Sequence, residues 1–293
     1  MSLPKLFGVD FSSAPTKKKP ITVASGRLAR WRGQQALCVE GISPLYSLDE
    51  FSVWLELKGP WVAGFDLPFA LPREFLQSAG WPHASWMEHI AHIETLSRPE
   101  LVQAFKAFCD SRPAGGKFAH RQCDIPAGSS PSMKWVNPPV AYMLHAGATR
   151  LLNAGVSIPM LHQGDVTRVA LEAYPGFFAR TIAGRSSYKS DDIHKQDEPR
   201  KLLREAIVET MEDGRNALNL SVKFDPAVRQ QCIEDGSGDT LDACICLLQT
   251  AWGEQRRAEN FGLPVGIDPV EGWIVTVSNA VTVPNALPNR ITG

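Results

Sequence analysis

The stretch Gly238-Asp239-Thr240-Leu241-Asp242-Ala243-Cys244-Ile245-Cys246-Leu247-Leu248 constrains this chain more than any other. Two carboxylates three residues apart open an otherwise apolar run in which Leu241, Cys244, Ile245, Leu248 and Trp252 recur at helical spacing. At about 3.6 residues per turn, Asp239 and Asp242 share a face, so the pattern predicts a core helix aiming two acids from its first turn. Such an end suits cation binding. It also suits ordinary helix-start chemistry, with Asp239 as N-cap and Asp242 as a favourable first-turn charge. Other acids at strand ends upstream weigh toward the first reading.

Composition sets the outer bounds. The 293 residues fit one elaborated domain carrying an insertion, and a hydrophobic content of 44% supports a sizeable core. A net charge of -1 excludes a global basic field, so a polyanionic partner must be held by local clusters or bridging metal ions. Cys38, Cys109, Cys123, Cys232, Cys244 and Cys246 show no C-x-x-C spacing, and the N-terminus shows no signal-like run. A reducing, cytoplasmic setting is therefore expected. No stretch reaches the ~18 consecutive apolar residues of a membrane span, so no membrane partner is expected. Oligomeric state has no sequence signature here.

Along the chain, Leu6 to Phe11 reads as a first strand containing Asp10, followed by the small-residue turn Ser12-Ser13-Ala14-Pro15, whose amides are free to approach a ligand. Ile21 to Leu28 and Gln35 to Ile42 predict a hairpin around Gly33. Ser47 and Glu50 mark a helix start, and the helix stops before Gly59-Pro60. Trp61 to Asp66 is a buried strand ending in an acid. Residues 73–165 then interrupt the pattern with helical stretches at Trp86 to Leu96, Pro99 to Cys109 and about 140–154, around a Gly-, Pro- and Ser-rich loop from Arg112 to Pro139. This region reads as an inserted cap within a single domain spanning 1–293. Val166 to Glu172 resumes the sheet, a linker with Tyr188 and Lys189 leads to a helix over Pro199 to Met211, and Gly272 to Val277 reads as a last strand before a loose tail.

Asp10, Asp66, Glu172, Asp239 and Asp242 form the chemical core of this reading. Three end strands that would neighbour one another, and parallel neighbours bring their carboxyl ends to one edge, where open α/β sheets bind ligands. Carboxylates gathered this closely repel by about 3–4 kcal/mol per pair at roughly 4–5 Å with an effective dielectric near 20. A cation is the natural compensation, and carboxylate ligands suit Mg²⁺ or Mn²⁺. Two such ions would activate a water and stabilise the leaving oxygen of a phosphodiester.

Gly8-Val9-Asp10, Gly64-Phe65-Asp66-Leu67-Pro68, Glu172-Ala173-Tyr174-Pro175, Asp239-x-x-Asp242-Ala243 and Glu271-Gly272-Trp273-Ile274 resemble the motifs of an uncharacterised family described as predicted nucleases with an RNase H fold. The resemblance runs from about residue 5 to 278. It implies an α/β, RNase H-like mixed sheet: a three-strand hairpin or meander start, a helix and two further strands, with flanking helices and a large, mostly helical insertion. The Asp-x-x-Asp helix is similar to that of RuvC-type resolvases. The implied site is a metal-dependent nuclease centre with Asp10, Asp66 and Asp239 or Asp242 as metal ligands and a nucleic acid or nucleotide as substrate. Glu172 has no firm counterpart in the enzymes compared.

Weaker signals surround this core. Ala119-His120-Arg121-Gln122-Cys123-Asp124 resembles an Arg-x-x-Asp element of the same family, so Arg121 is a candidate phosphate contact and the alternative is a surface ion pair with Asp124. Lys189 is a second candidate for phosphate, and Ser12 a third for substrate. His89-x-x-His92-x-Glu94 lacks a third ligand and reads as a structural helix. Trp81, Trp86 and Trp135 are candidates for stacking on bases. Haloacid dehalogenase-type phosphatases need a second acid two residues after the nucleophile, where this chain has Ser12. A non-catalytic or nucleotide-binding RNase H-like protein is the remaining alternative; the duplicated halves of ATP-handling relatives are missing, and an unused acid cluster would only cost stability.

Overall fold

The structure, a computed structural model, describes residues 3–31 and 33–278. The expected tail after Val277 lies almost wholly outside them. The elements in chain order are β1 (Lys5–Asp10), β2 (Ile21–Trp31), β3 (Gln34–Leu45), α1 (Leu48–Leu55), β4 (Trp61–Asp66), α2 (Arg73–Ser78), α3 (Trp86–Glu94), α4 (Arg98–Asp110), α5 (Asp124–Ala127) and α6 (Val140–Asn153). They continue with β5 (Val156–Ser157), β6 (Asp165–Glu172), α7 (Pro175–Ala183), α8 (Glu198–Asp213), β7 (Ser221–Lys223), α9 (Pro226–Glu234) and α10 (Asp239–Gln255). The strands make one seven-stranded mixed sheet in the order β5-β6-β4-β1-β2-β3-β7. β2 is antiparallel to β1 and β3, and every other pairing is parallel.

Side-chain alternation divides the molecule into two layers. Phe7, Val9, Ala63 and Phe65 face a core shared with Phe51 of α1, Phe75 of α2, Trp86 of α3 and Phe105 of α4. Leu6, Val62, Val169 and Leu171 face a second core built from α7, α8, α9 and α10. Residues 73–165 thus contribute α2, α3, α4 and α6 to one face of the sheet and β5 to its edge, while α5 packs with the segment around Trp273, and only part of the region borders the acidic edge. Trp86 is fully buried and donates to the Phe69 carbonyl, while Trp81 and Trp135 pack on Phe75 and Phe105. All three tryptophans serve the core, and the fully buried Trp86 has no face to offer a base. His89 is buried too and accepts from the Leu71 amide, which fits the structural reading of that helix.

Two glycines decide how closely α10 approaches the sheet. Gly8 and Gly64 are register partners on β1 and β4. A β-carbon at Gly8 would collide with the Leu247 nitrogen and the Ala243 carbonyl; one at Gly64 would collide with the Thr250 hydroxyl. The helix therefore lies with its backbone on these strands, and Thr250 Oγ1 donates to the Phe7 carbonyl at 2.9 Å.

Several expected elements differ. The segment Gly272 to Val277 is no strand: Ile274 makes a single bridge to Glu172, Val275 donates to the Glu172 carbonyl, and Thr276 has a φ of 73°. The expected linker before Pro199 contains α7, and α9 lies ahead of α10. Both open with proline at the first helical position, where its missing N–H costs nothing.

Candidate active site

Asp10 and Asp66 are register partners at the carboxyl ends of two adjacent parallel strands, on the face that α10 covers. Asp242, fully buried in the first turn of α10, completes a triad whose ligand oxygens all lie within 4.8 Å of one another. Glycine on both strands makes this possible, because the helix start must descend to the sheet.

The electrostatics are those of crowded acids. Burial pushes the Asp10 carboxyl well above its ordinary value, and Asp242, Asp239 and Asp66 add to the rise while Lys189 opposes it. Burial, with Asp242, pushes Asp66 up to about 7 against the pull of Lys189. Among the described residues, no protein hydrogen bond or ion pair reaches the Asp10 or Asp66 side chain. Asp242 differs: the buried Tyr188 hydroxyl donates to Oδ1 at 2.5 Å, and the Lys189 ammonium pairs with Oδ2. Burial alone would lower the Lys189 pKa, but Asp242 and the neighbouring acids hold it well above normal.

Asp239 stands apart from the triad, on the rim, where burial and Asp235 raise its pKa. Nor is it the N-cap. That position is Gly238, with φ 80°, and Asp235 accepts the Thr240 amide at 2.9 Å in its place. The turn-forming run Asp235-Gly236-Ser237-Gly238 was the available signal for this cap.

Glu172 is not brought to the triad, and the reason is parity. Its register partner is Phe65, one residue short of Asp66, so its side chain belongs to the opposite face of the sheet. There it accepts the Phe69 amide at 3.0 Å and a two-pronged pair from Arg121 at 2.7 and 2.8 Å. Arg121 is itself buried and corrects both readings made of it. It pairs with Asp124, but inside the protein; and its Nε, Nη1 and Nη2 donors are all engaged by Asp124, Glu172 and the Glu271 carbonyl. Burial would lower its pKa, yet Asp124 and Glu172 outweigh that and hold it above normal. No donor is left for a phosphate. Glu271 continues this framework by accepting the Arg73 amide at 2.7 Å and the Gln122 amide at 2.9 Å.

The triad opens into a groove of about 850 Å³. Asp10, Asp66, Asp239 and Ser12 line it, and so do the basic residues Lys19, Arg180, Arg185 and Lys189. Pro138, Pro139 and Val140 of the insertion also line it, together with the small residues Gly176, Ala179, Ala183 and Gly184. No described helix is long and apolar enough to cross a membrane. Comparison with protein-family models, curated proteins and solved structures returned no match.

Proposed function

We propose that this chain is a Mg²⁺- or Mn²⁺-dependent nuclease of RNase H-like architecture, hydrolysing phosphodiester bonds at the Asp10–Asp66–Asp242 triad. One observation carries the reading: two strand-end carboxylates without protein donors lie within 4.8 Å of a third from the helix above. Oxygen donors of this kind fit a hard divalent cation. When bound, such an ion supplies Lewis acidity toward a phosphate oxygen and makes water a stronger acid at neutral pH. The strand order supports the architecture: β3-β2-β1-β4-β6 matches a meander start followed by two further parallel strands.

The chain's own residues provide holding and orientation. Asp10 and Asp66 are the ligands, Tyr188 fixes the rotamer of Asp242, and Arg185 on the groove wall would meet a flanking phosphate, whereas Arg180 already donates to the Ala127 carbonyl and the Tyr174 hydroxyl. With a net charge of -1, strong non-specific duplex binding is disfavoured, so a short or structured nucleic acid, or a nucleotide, fits better. The test is cleavage of single-stranded and duplex DNA, RNA, a branched junction and a dinucleotide by wild type and Asp10→Asn, with Mn²⁺ and with EDTA. Cleavage of at least one substrate is expected, abolished by either EDTA or the substitution. Cleavage that survives both, or no cleavage by the wild type across the set, would contradict the reading.

A further inference from the structure

We propose that Lys189 is a built-in second cation, so that the triad takes one divalent ion where two would otherwise be expected. This rests on the metal-site reading above and concerns the number of ions in it. The first ground is occupancy. Both oxygens of Asp242 already have partners, the Tyr188 hydroxyl on one and the Lys189 ammonium on the other. Asp10 and Asp66 have none, and so face the groove as a pair open to a single shared ion.

The second ground is charge. Three carboxylates and one ammonium sum to -2, which one divalent ion balances. A second ion would leave a surplus of positive charge in a site where uncompensated charge is costly. Asp239, on the rim, lies near Lys19 and Asp235 as well, and Lys19 is paired with Asp191 at 2.7 Å. Asp239 is felt at Asp10, and Lys19 opposes Asp239 from the outer side.

The third ground is that the lysine is held in place. The Tyr188 carbonyl accepts from the buried Arg204, which also donates to the Ile233 carbonyl. Ser187 Oγ donates to the Lys189 carbonyl at 2.7 Å, and the Ser190 amide donates to the Gly236 carbonyl at 3.0 Å. The lysine stem passes over Gly238, where a β-carbon would strike Lys189 Cβ at 2.7 Å and Cδ at 2.9 Å. Glycine at the start of α10 thus serves both its left-handed backbone and the passage of the lysine. The lysine side chain is 39% exposed along its length, but its ammonium is set against a fully buried carboxylate, which fixes where the charge lies.

Equilibrium dialysis of the full chain at saturating Mn²⁺ tests this. Bound metal is counted by atomic spectroscopy and referred to the Asp10→Asn/Asp66→Asn double variant to remove surface sites. One ion per chain is expected for wild type and Lys189→Arg, and two for Lys189→Met. Two ions in the wild type would overturn the inference while leaving the nuclease reading intact. No ion in the wild type would overturn both. Lys189→Met remaining at one ion would show that the lysine does not set the count. Should Lys189→Met fail to fold, the wild-type count still decides.

Discussion

Asp66 carries the clearest pH signature of the site. Its folded pKa of about 7, against an ordinary 3.8, arises from burial and from Asp242, with Lys189 opposing. Between those values the folded chain retains a proton that the unfolded chain has released. The contribution is therefore stabilising below about pH 4 and is lost as pH rises through about 7, with a magnitude of order 2–4 kcal/mol. In EDTA, the stability of wild type relative to Asp66→Asn should fall across that window, as read from denaturant unfolding at a series of pH values. Parallel pH profiles for the two proteins would show that Asp66 does not titrate there. The position of Asp66 was open to sequence reading because a buried strand ending in an acid, followed at once by Leu67-Pro68, marks its own boundary. The partner that fixes Asp242, Tyr188, was not, since a Tyr-Lys pair among small residues has no periodicity to place it.

At the scale of elements, Arg121 joins α5, the end of β6 and the segment around Glu271. Removing its charge by Arg121→Met would strand Asp124 and Glu172 in the interior. Losing one partner of a buried pair costs about 3–5 kcal/mol. A melting temperature lower by roughly 10 °C is expected, with Mn²⁺ affinity of the folded protein unchanged within a few-fold. Unchanged melting together with weakened nucleotide binding would restore the phosphate-contact role. The sheet and α10 were legible because strand and helix periodicities differ and Asp242 opens an apolar run. Glu172 was misplaced because the sequence marks a strand's end but not its register, and one residue of register selects the face. α7 and α9 were not expected: both open with proline, and the same residue that ends a helix elsewhere starts these two. Trp273 to Val277 has strand composition yet only one bridge partner, because its backbone turns at Thr276.

The described residues form a seven-stranded sheet between two helical layers, with the Asp10–Asp66–Asp242 cluster at one end of its central strands. We propose that this end binds a divalent cation through Asp10 and Asp66, beside Asp242. Thermal unfolding with and without Mn²⁺ addresses it without needing the substrate. Binding at about 100 times the dissociation constant stabilises by about 2.7 kcal/mol, or roughly 5–10 °C for a chain of this size. Wild type should show that rise over its melting point in EDTA. Asp10→Asn should melt at or above wild type in EDTA, because a repulsive charge is gone, and should show little or no rise with Mn²⁺. Equal Mn²⁺ shifts in the two proteins, or none in the wild type, would contradict the account.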